Sequence, residues 1–228
     1  MKARRLVMPE KRIGWTVPAL LLVLSIVPVL AGLVRLAGLV EGGPIKADNA
    51  RFFAAPLPIA VHLLSATLFC VLGAFQFASE FRRRSPAWHR IAGRFLVPCG
   101  LLAGLTGIWM TVTYPIDSGQ QGALLFSARI LFGSAMMLSL VLSLAAILRR
   151  DIARHCAWMI RAYALGQGAG TQVLVFMPWM LISGAPSGLL RDILMSIAWV
   201  INLVLAEWII RRQLSLSRSD PRQSNLVF

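Results

Sequence analysis

Charged side chains and the motifs of soluble enzymes are scarce in this sequence. Only 14% of its 228 residues are charged, and nine are acidic, whereas soluble domains carry about 25% charged residues. It contains no P-loop, HExxH, GxSxG or dinucleotide-binding fingerprint. The composition therefore excludes an ordinary soluble domain. The missing motifs disfavour a hydrolase and leave enzymatic activity undecided.

Cysteine and histidine are also rare, with three residues of each. Cys70, Cys99 and Cys156 show no CxxC spacing and are odd in number. They favour small buried side chains over a disulfide framework or thiol chemistry. The three histidines are the only imidazoles available to a metal or a haem.

Long hydrophobic runs dominate what is present. Hydrophobic residues make up 57% of the chain, and the mean hydropathy is +0.72. A bilayer core of about 30 Å needs about 20 helical residues to cross it. Six runs reach that length, at residues 15–36, 57–78, 91–113, 124–148, 157–182 and 189–210. The sequence predicts an all-α polytopic integral membrane protein, a six-transmembrane-helix bundle whose core is helices two to five.

The runs also define the expected domain organisation. Residues 1–14 form a basic cytoplasmic N-terminus, 15–210 the transmembrane domain, and 211–228 a basic, Ser-rich tail that we expect to be disordered. The first run is longer than the 7–15-residue apolar region of a signal peptide. We therefore expect a retained membrane anchor.

The net charge of +14 follows a topological pattern. If the N-terminus is cytoplasmic, the outer half holds only Arg35, Lys46, Arg51, Arg129 and Arg191 of the 23 Lys and Arg residues. The positive-inside rule then predicts both termini in the cytoplasm of a bacterial inner membrane. Anionic inner-leaflet lipids are the expected partner, and no nucleic acid is required.

Two histidines stand at matching depths. His89 in "PAWHRIAGRF" and His155 in "ARHCAWMIRAYA" both lie at the cytoplasmic start of an apolar run. Helical spacing gives each a face of small residues. These are Gly93, Gly100, Gly104 and Gly107 after His89, and Ala162, Gly166 and Gly170 after His155.

This arrangement leads to a haem hypothesis. Two neutral imidazoles can ligate a haem iron axially, and faces without side chains leave room for a flat macrocycle. Basic side chains can pair with the haem propionates. We therefore expect one haem b near the cytoplasmic face, with an electron-transfer role and an unknown redox partner. Its ligands are His89 and His155, and the basic residues are Arg90, Arg94 and Arg161.

A structural role and a transport role are also compatible with this sequence. Small-residue faces let membrane helices pack closely with no ligand, which favours a structural or assembly role. A non-redox transport or binding protein would have a polar interior, for which the candidates are His62, Gln76, Arg129 and Gln172. Helices broken at mid-membrane would favour this alternative, and only Pro98 and Pro178 indicate such breaks.

Some polar side chains within the spans predict contacts between helices. We expect hydrogen bonds to neighbouring helices from Gln167, Gln172 and Asn202. Arg161 and Glu207 both lie near the inner surface, and we expect them to pair.

The segments "HLLSATLFCVLGAFQF", "HRIAGRF", "GLLAGLTGIWMT" and "RHCAWMIRAYAL" resemble a bacterial family of predicted integral membrane proteins, the domain of unknown function family 2306. The resemblance covers residues from about Arg51 to Leu174. It implies a membrane fold and supplies no established activity. The matching positions are His62, His89, Arg90, Gly93, Arg94, Arg154, His155, Trp158, Met159, Arg161 and Tyr163.

A looser resemblance is to transmembrane di-haem b-type cytochromes, which carry histidine ligands on alternating spans. His89 and His155 resemble one such pair, and His62 matches the ligand of the second span. The fourth span of this chain has no histidine. The resemblance therefore implies at most one bis-histidine haem.

Overall fold

A computed structural model describes residues 13–219. This part of the chain is helical, and the assigned elements include no strand. A 3-10 turn at Phe75–Phe77 separates two of the helices. The α-helices are α1 (Ile13–Glu41), α2 (Ala50–Ala54), α3 (Pro56–Ala74), α4 (Ser79–Arg84), α5 (Pro86–Thr113), α6 (Ala123–Leu148), α7 (Ile152–Gly166), α8 (Gly168–Ser183) and α9 (Gly188–Ser219).

Five segments in the described residues are long and apolar enough to cross a bilayer as single helices. They are Gly14–Glu41, Pro56–Phe77, Pro86–Thr113, Ala123–Leu148 and Gly188–Ser215. The all-α polytopic membrane fold is therefore confirmed. α9 continues to Ser219, past the expected boundary at residue 210. The N-terminal segment through residue 12 and the end of the tail, from residue 220, lie outside the described residues.

The expected fifth span is a pair of helices, α7 and α8, which meet at Gln167. Their contacts with α9 follow in reverse order along the chain. Arg161 meets Glu207, Ala164 meets Asn202, Gly168 meets Trp199, and Gln172 meets Met195. The pair therefore runs antiparallel to α9 from Arg161 to Gln172, across the break, as one interrupted span.

Glycine and side-chain hydrogen bonds explain the interruption at Gln167. The local sequence, ALGQGAGT, has three glycines around Gln167, and a glycine in a helix interior costs about 1 kcal/mol relative to alanine. Backbone groups freed inside a bilayer must find other partners. The Ala164 carbonyl accepts from Asn202 Nδ2 at 2.8 Å, and the Gly166 carbonyl accepts from Cys70 Sγ at 3.5 Å.

The two prolines that indicated breaks do not interrupt their helices. α5 continues through Pro98, and α8 continues through Pro178. Transmembrane helices tolerate proline because neighbouring groups satisfy the backbone that it frees. Neither proline therefore marks a broken helix, and the break lies at Gln167 instead.

The core is a ring of four helices, α3, α5, α6 and α7, in which each helix packs against the next and α7 closes back on α3. These are the expected second to fifth spans. α5 and α7 lie on opposite sides of the ring, while α1, α8 and α9 pack around it. We call the end with α2 and the α5–α6 and α8–α9 loops the α2 end. The opposite end, with α4 and the α6–α7 loop, is the α4 end.

Neighbouring atoms fill the space beside most glycines of the predicted small-residue faces. A Cβ at Gly100 would lie 2.7 Å from Leu140 and 2.8 Å from Phe69, and one at Gly166 would lie 2.7 Å from Phe69. Only Gly93, among those on the His89 face, has no neighbouring atom within 4 Å of that position. Close helix packing is therefore the main role of these faces.

Replacing Gly170 by alanine should lower the melting temperature. A Cβ there would collide with the backbone carbonyl of Leu24, so α1 and α8 must move apart, and overpacking of this kind costs about 1–3 kcal/mol. Thermal unfolding of the purified protein in detergent measures the change. Gly38→Ala, in α1, is the matched control because nothing lies within 4 Å of its Cβ position. An equal loss in both variants would contradict the close packing of α1 on α8 as the cause.

Candidate functional site

The interior holds a cavity of about 820 Å³ between the α2 end and the level of Gln167. Side chains from all of the membrane-spanning helices line it. Arg35 and Arg51 stand toward the α2 end, and Phe69 and Gln167 form its deepest part. Ligand pockets in proteins measure about 300–1,000 Å³, so the cavity has the size of a binding site for an organic molecule.

Four arginines converge on this cavity, and they come from four different helices. Arg35 belongs to α1, Arg51 to α2, Arg129 to α6 and Arg191 to α9. Asp48 is the one acidic residue in the lining. None of the four arginines forms a salt bridge with another described residue. The lining of the cavity therefore carries an excess of positive charge.

The dipeptide Gln120–Gln121, in the loop between α5 and α6, holds three of these arginines. Arg51 donates to Gln120 Oε1 at 3.1 Å, and Arg191 donates to the Gln120 carbonyl at 3.0 Å. Arg129 donates to Gln121 Oε1. These partners are neutral. They fix the positions of the guanidinium groups and leave their charge available to a ligand.

An aromatic ring holds the fourth arginine beside Arg51. The Arg35 and Arg51 guanidinium groups lie 4.6 Å and 4.8 Å from the ring centroid of Phe52, within the range of a cation–π contact. Partial burial lowers the pKa of Arg51, and the positive charge of Arg35 lowers it further. Two cations held this close favour a bound anion.

Asp192 anchors the mouth of the cavity. Its carboxylate is 2% exposed and accepts from the backbone N–H groups of Gly122 and Leu125, both at 3.1 Å. A carboxylate at a helix N-terminus satisfies unpaired donors and complements the helix dipole. Asp192 also lies within electrostatic range of Arg129. It therefore ties α9 to the first turn of α6, the helix that carries Arg129.

His62 lines the cavity beside Ala103, which lies about half the length of α5 from His89. Its Nδ1 lies 2.9 Å from the Ala103 carbonyl and 3.3 Å from Thr106 Oγ1. A carbonyl can only accept, so Nδ1 carries the hydrogen and a neutral His62 keeps an acceptor at Nε2. Arg129 lies within electrostatic range of this ring.

The structure brings together three of the four residues predicted for a polar interior. His62, Arg129 and Gln172 all line the cavity. Gln172 also donates to the Met195 carbonyl of α9 at 3.1 Å. Gln76 lies at the α4 end, outside the lining of this cavity, and its Nε2 is buried without a hydrogen-bond partner.

His89 and His155 both lie at the α4 end, and His89 is within electrostatic range of His155. His155 Nδ1 lies 2.8 Å from Ser143 Oγ and 3.1 Å from the Ser143 carbonyl. These contacts of Nδ1 fix the orientation of the His155 ring and do not involve Nε2. His89 Nδ1 is buried and has no hydrogen-bond partner. In the described residues no three His, Cys, Asp or Glu side chains form a group that could hold a metal ion.

The three arginines expected beside these histidines are in different settings. Arg90 and Arg94 are exposed on α5. Arg161 forms the expected pair with Glu207, with Nε–Oε1 and Nη2–Oε2 distances of 2.5 Å and 3.0 Å, and it lies 4.5 Å from the ring centroid of Trp158. Arg161 is therefore already occupied by a carboxylate.

Sequence reasoning missed Arg35, Arg51 and Arg191 as site residues, along with Gln120 and Gln121. The signal was present in the charge distribution. In the orientation that the sequence predicts, these arginines belong to outer segments, where positive residues are disfavoured, so their presence needs a reason beyond topology. Which of them meet in space depends on tertiary contacts between helices that are distant in the sequence.

The fold and its buried polar interior define a polytopic α-helical membrane protein. A family model described as Predicted membrane protein (DUF2306) matches residues 59–210, so the chain belongs to that family. The match begins later and extends further than the resemblance seen in the sequence, and it includes most of α9. Searches of curated proteins and of solved structures found no match.

Proposed function

We propose that this protein is a non-redox membrane protein that binds an anion in the cavity at the α2 end, for transport or for recognition. The observation that carries the proposal is the convergence of four arginines, each held by a neutral partner, on one cavity. A charged group within a membrane domain is costly and is a functional candidate by default.

The electrostatic balance identifies the sign of the ligand. Four guanidinium groups face Asp48 alone within the lining, and Asp192 lies behind them with its oxygens on backbone donors. Guanidinium groups bind carboxylates and phosphates through paired hydrogen bonds. An anion in the cavity would therefore relieve the repulsion among the arginines and complete their hydrogen bonding.

The interruption of the fifth span supports a transport or binding role. Many transporters place their ligand sites near the midplane, beside helices broken at that depth. The cavity reaches Gly166, Gln167 and Gly170, which flank or form the break between α7 and α8. A helix broken within the membrane domain would favour this function. Such a break is present at Gln167 and not at Pro98 or Pro178.

Arg129→Gln should weaken anion binding about tenfold or more. A hydrogen bond to a charged group contributes about 1.5–3 kcal/mol, and about 1.4 kcal/mol is a factor of ten. Titration of octanoate into protein held in phosphatidylcholine nanodiscs measures the change, with empty nanodiscs subtracted. Octanol, which lacks the charge, should bind wild-type protein more weakly than octanoate.

The matched control is Arg149→Gln, which removes an exposed arginine at the opposite end of the same helix. It should leave octanoate binding unchanged. Equal losses in both variants, or equal affinities for octanol and octanoate, would overturn the anion-binding proposal.

A second candidate function is electron transfer by one haem b held between His89 and His155 at the α4 end. It is supported by the position of both histidines at the same end of the bundle and by the Ser143 contact, since haem-ligating histidines are commonly oriented through their second nitrogen. The open space beside Gly93 also fits a bound group. Filled packing at Gly100, Gly104 and Gly166 and the pairing of Arg161 with Glu207 make this candidate the second choice.

The residues fit ligation through two imidazoles, and such a haem would supply a one-electron carrier. His155 would bind through Nε2 because Nδ1 is engaged by Ser143. Arg90 and Arg94, exposed on α5, would pair with the propionates, in place of Arg161.

A reduced-minus-oxidised spectrum of protein expressed with adequate haem tests this candidate. It should show α and Soret bands that disappear in His89→Ala and in His155→Ala and remain in His62→Ala. If folded wild-type protein shows neither band, the haem hypothesis is wrong. Loss of the bands in His62→Ala alone would move the haem to the α2-end cavity and contradict both assignments.

We further infer that the α4 end faces the cytoplasm across a bacterial inner membrane and contacts anionic lipids there. Exposed arginines such as Arg83, Arg84, Arg149 and Arg150 lie at this end, as the positive-inside rule requires. A fluorescent protein fused after the last residue should fluoresce, and alkaline phosphatase at the same position should be inactive. The reverse pattern would contradict the orientation.

A further inference from the structure

We propose that the ligand of the α2-end cavity is an amphiphile with one anionic end, such as a medium-chain carboxylate, whose apolar part extends below His62 toward Gln167. This inference rests on the anion-binding function proposed above. It adds the shape and polarity of the bound molecule.

The volume of the cavity exceeds what a small anion needs. A cavity of about 820 Å³ lies within the range of pockets that enclose organic ligands. One water occupies about 30 Å³ of liquid, so a small inorganic anion would fill only a minor part of the space. A ligand that fills the cavity must therefore have a large uncharged part in addition to its anionic group.

The polarity of the walls changes with depth. The arginines line the part of the cavity toward the α2 end, whereas the deeper walls include Phe132, Met136, Leu165 and Trp199. Phe132 and Trp199 are stacked, with ring centroids 5.4 Å apart. From His62 to Phe69 on α3 is a rise of about 10 Å. The deep part therefore suits a hydrocarbon body.

The polar groups at the floor are already satisfied. Gln167 Nε2 donates to Tyr163 Oη at 2.8 Å and to Ser25 Oγ at 3.1 Å. Ser25 in turn donates to the Leu21 carbonyl at 2.9 Å. With both amide hydrogens engaged, the floor offers no free donor from Gln167 to a second anionic group. Gln167 therefore does not attract the charge of the ligand to the floor, whereas the four arginines lie toward the mouth.

The floor also ends the space available to the apolar part. Phe69 packs against Tyr163, with centroids 5.6 Å apart, and Tyr163 packs against Phe77 at 4.8 Å. Tyr163 is 3% exposed, and a Cβ at Gly73 would lie 2.6 Å from its ring. This aromatic barrier of Phe69, Tyr163 and Phe77 separates the cavity from the α4 end and limits the length of the ligand.

Binding of acetate and octanoate to the protein in phosphatidylcholine nanodiscs tests the inference. Wild-type protein should bind octanoate at least about ten times more tightly than acetate, after subtraction of empty nanodiscs, because only octanoate fills the apolar part. Ala66→Phe places a ring in the deep part, one turn below His62 on α3. This variant should lose at least tenfold in octanoate affinity and keep its acetate affinity within twofold.

Leu64→Phe is the matched control, because Leu64 is 55% exposed on the outer face of the same helix; it should change neither affinity. Equal wild-type affinities for acetate and octanoate would overturn the amphiphile and leave anion binding intact. Octanol binding as tightly as octanoate would overturn both. If Ala66→Phe does not fold, the wild-type comparison of acetate with octanoate decides alone.

Discussion

The need to satisfy every backbone polar group inside a bilayer governs the middle of this molecule. Where the fifth span breaks at Gln167, the neighbouring Ala164 and Gly166 carbonyls accept hydrogen bonds from Asn202 of α9 and Cys70 of α3. The Gln167 side chain then binds Tyr163 and Ser25. One interruption thereby links α7 and α8 to α1, α3 and α9, and side chains from these last three helices hydrogen-bond to it.

The cavity and its charge depend on that junction. Small residues around Gln167 let Phe69, Trp199 and the backbone of α1 approach the break, and these neighbours become the floor and lower wall of the cavity. Above them, four arginines line the cavity toward the α2 end. Neutral glutamine oxygens and the Phe52 ring hold the arginines in position. A salt bridge would have fixed them equally well and would have cancelled the charge that a ligand can use.

The fold was largely predictable from the sequence, and the site only in part. Apolar runs define the spans because the bilayer sets their length, and the Arg161–Glu207 pair followed from depth alone. The break did not follow, because three glycines around Gln167 are equally typical of a packing face, while Pro98 and Pro178 look like stronger breakers. The grouping of four arginines by Gln120 and Gln121 depends on contacts between distant helices, which no local pattern encodes.

The same glycine pattern supports opposite expectations until the neighbours are known. A face without side chains leaves room for a macrocycle or for a close-packed helix, and at Gly100 and Gly166 the helix neighbours fill it. The two proposed sites also lie on opposite sides of the aromatic barrier formed by Phe69, Tyr163 and Phe77. A ligand in the cavity therefore does not touch His89 or His155. Tyr163 lies between the two ends, and its hydroxyl donates to the Cys70 carbonyl and accepts from Gln167 Nε2, which ties this barrier to the break in the fifth span.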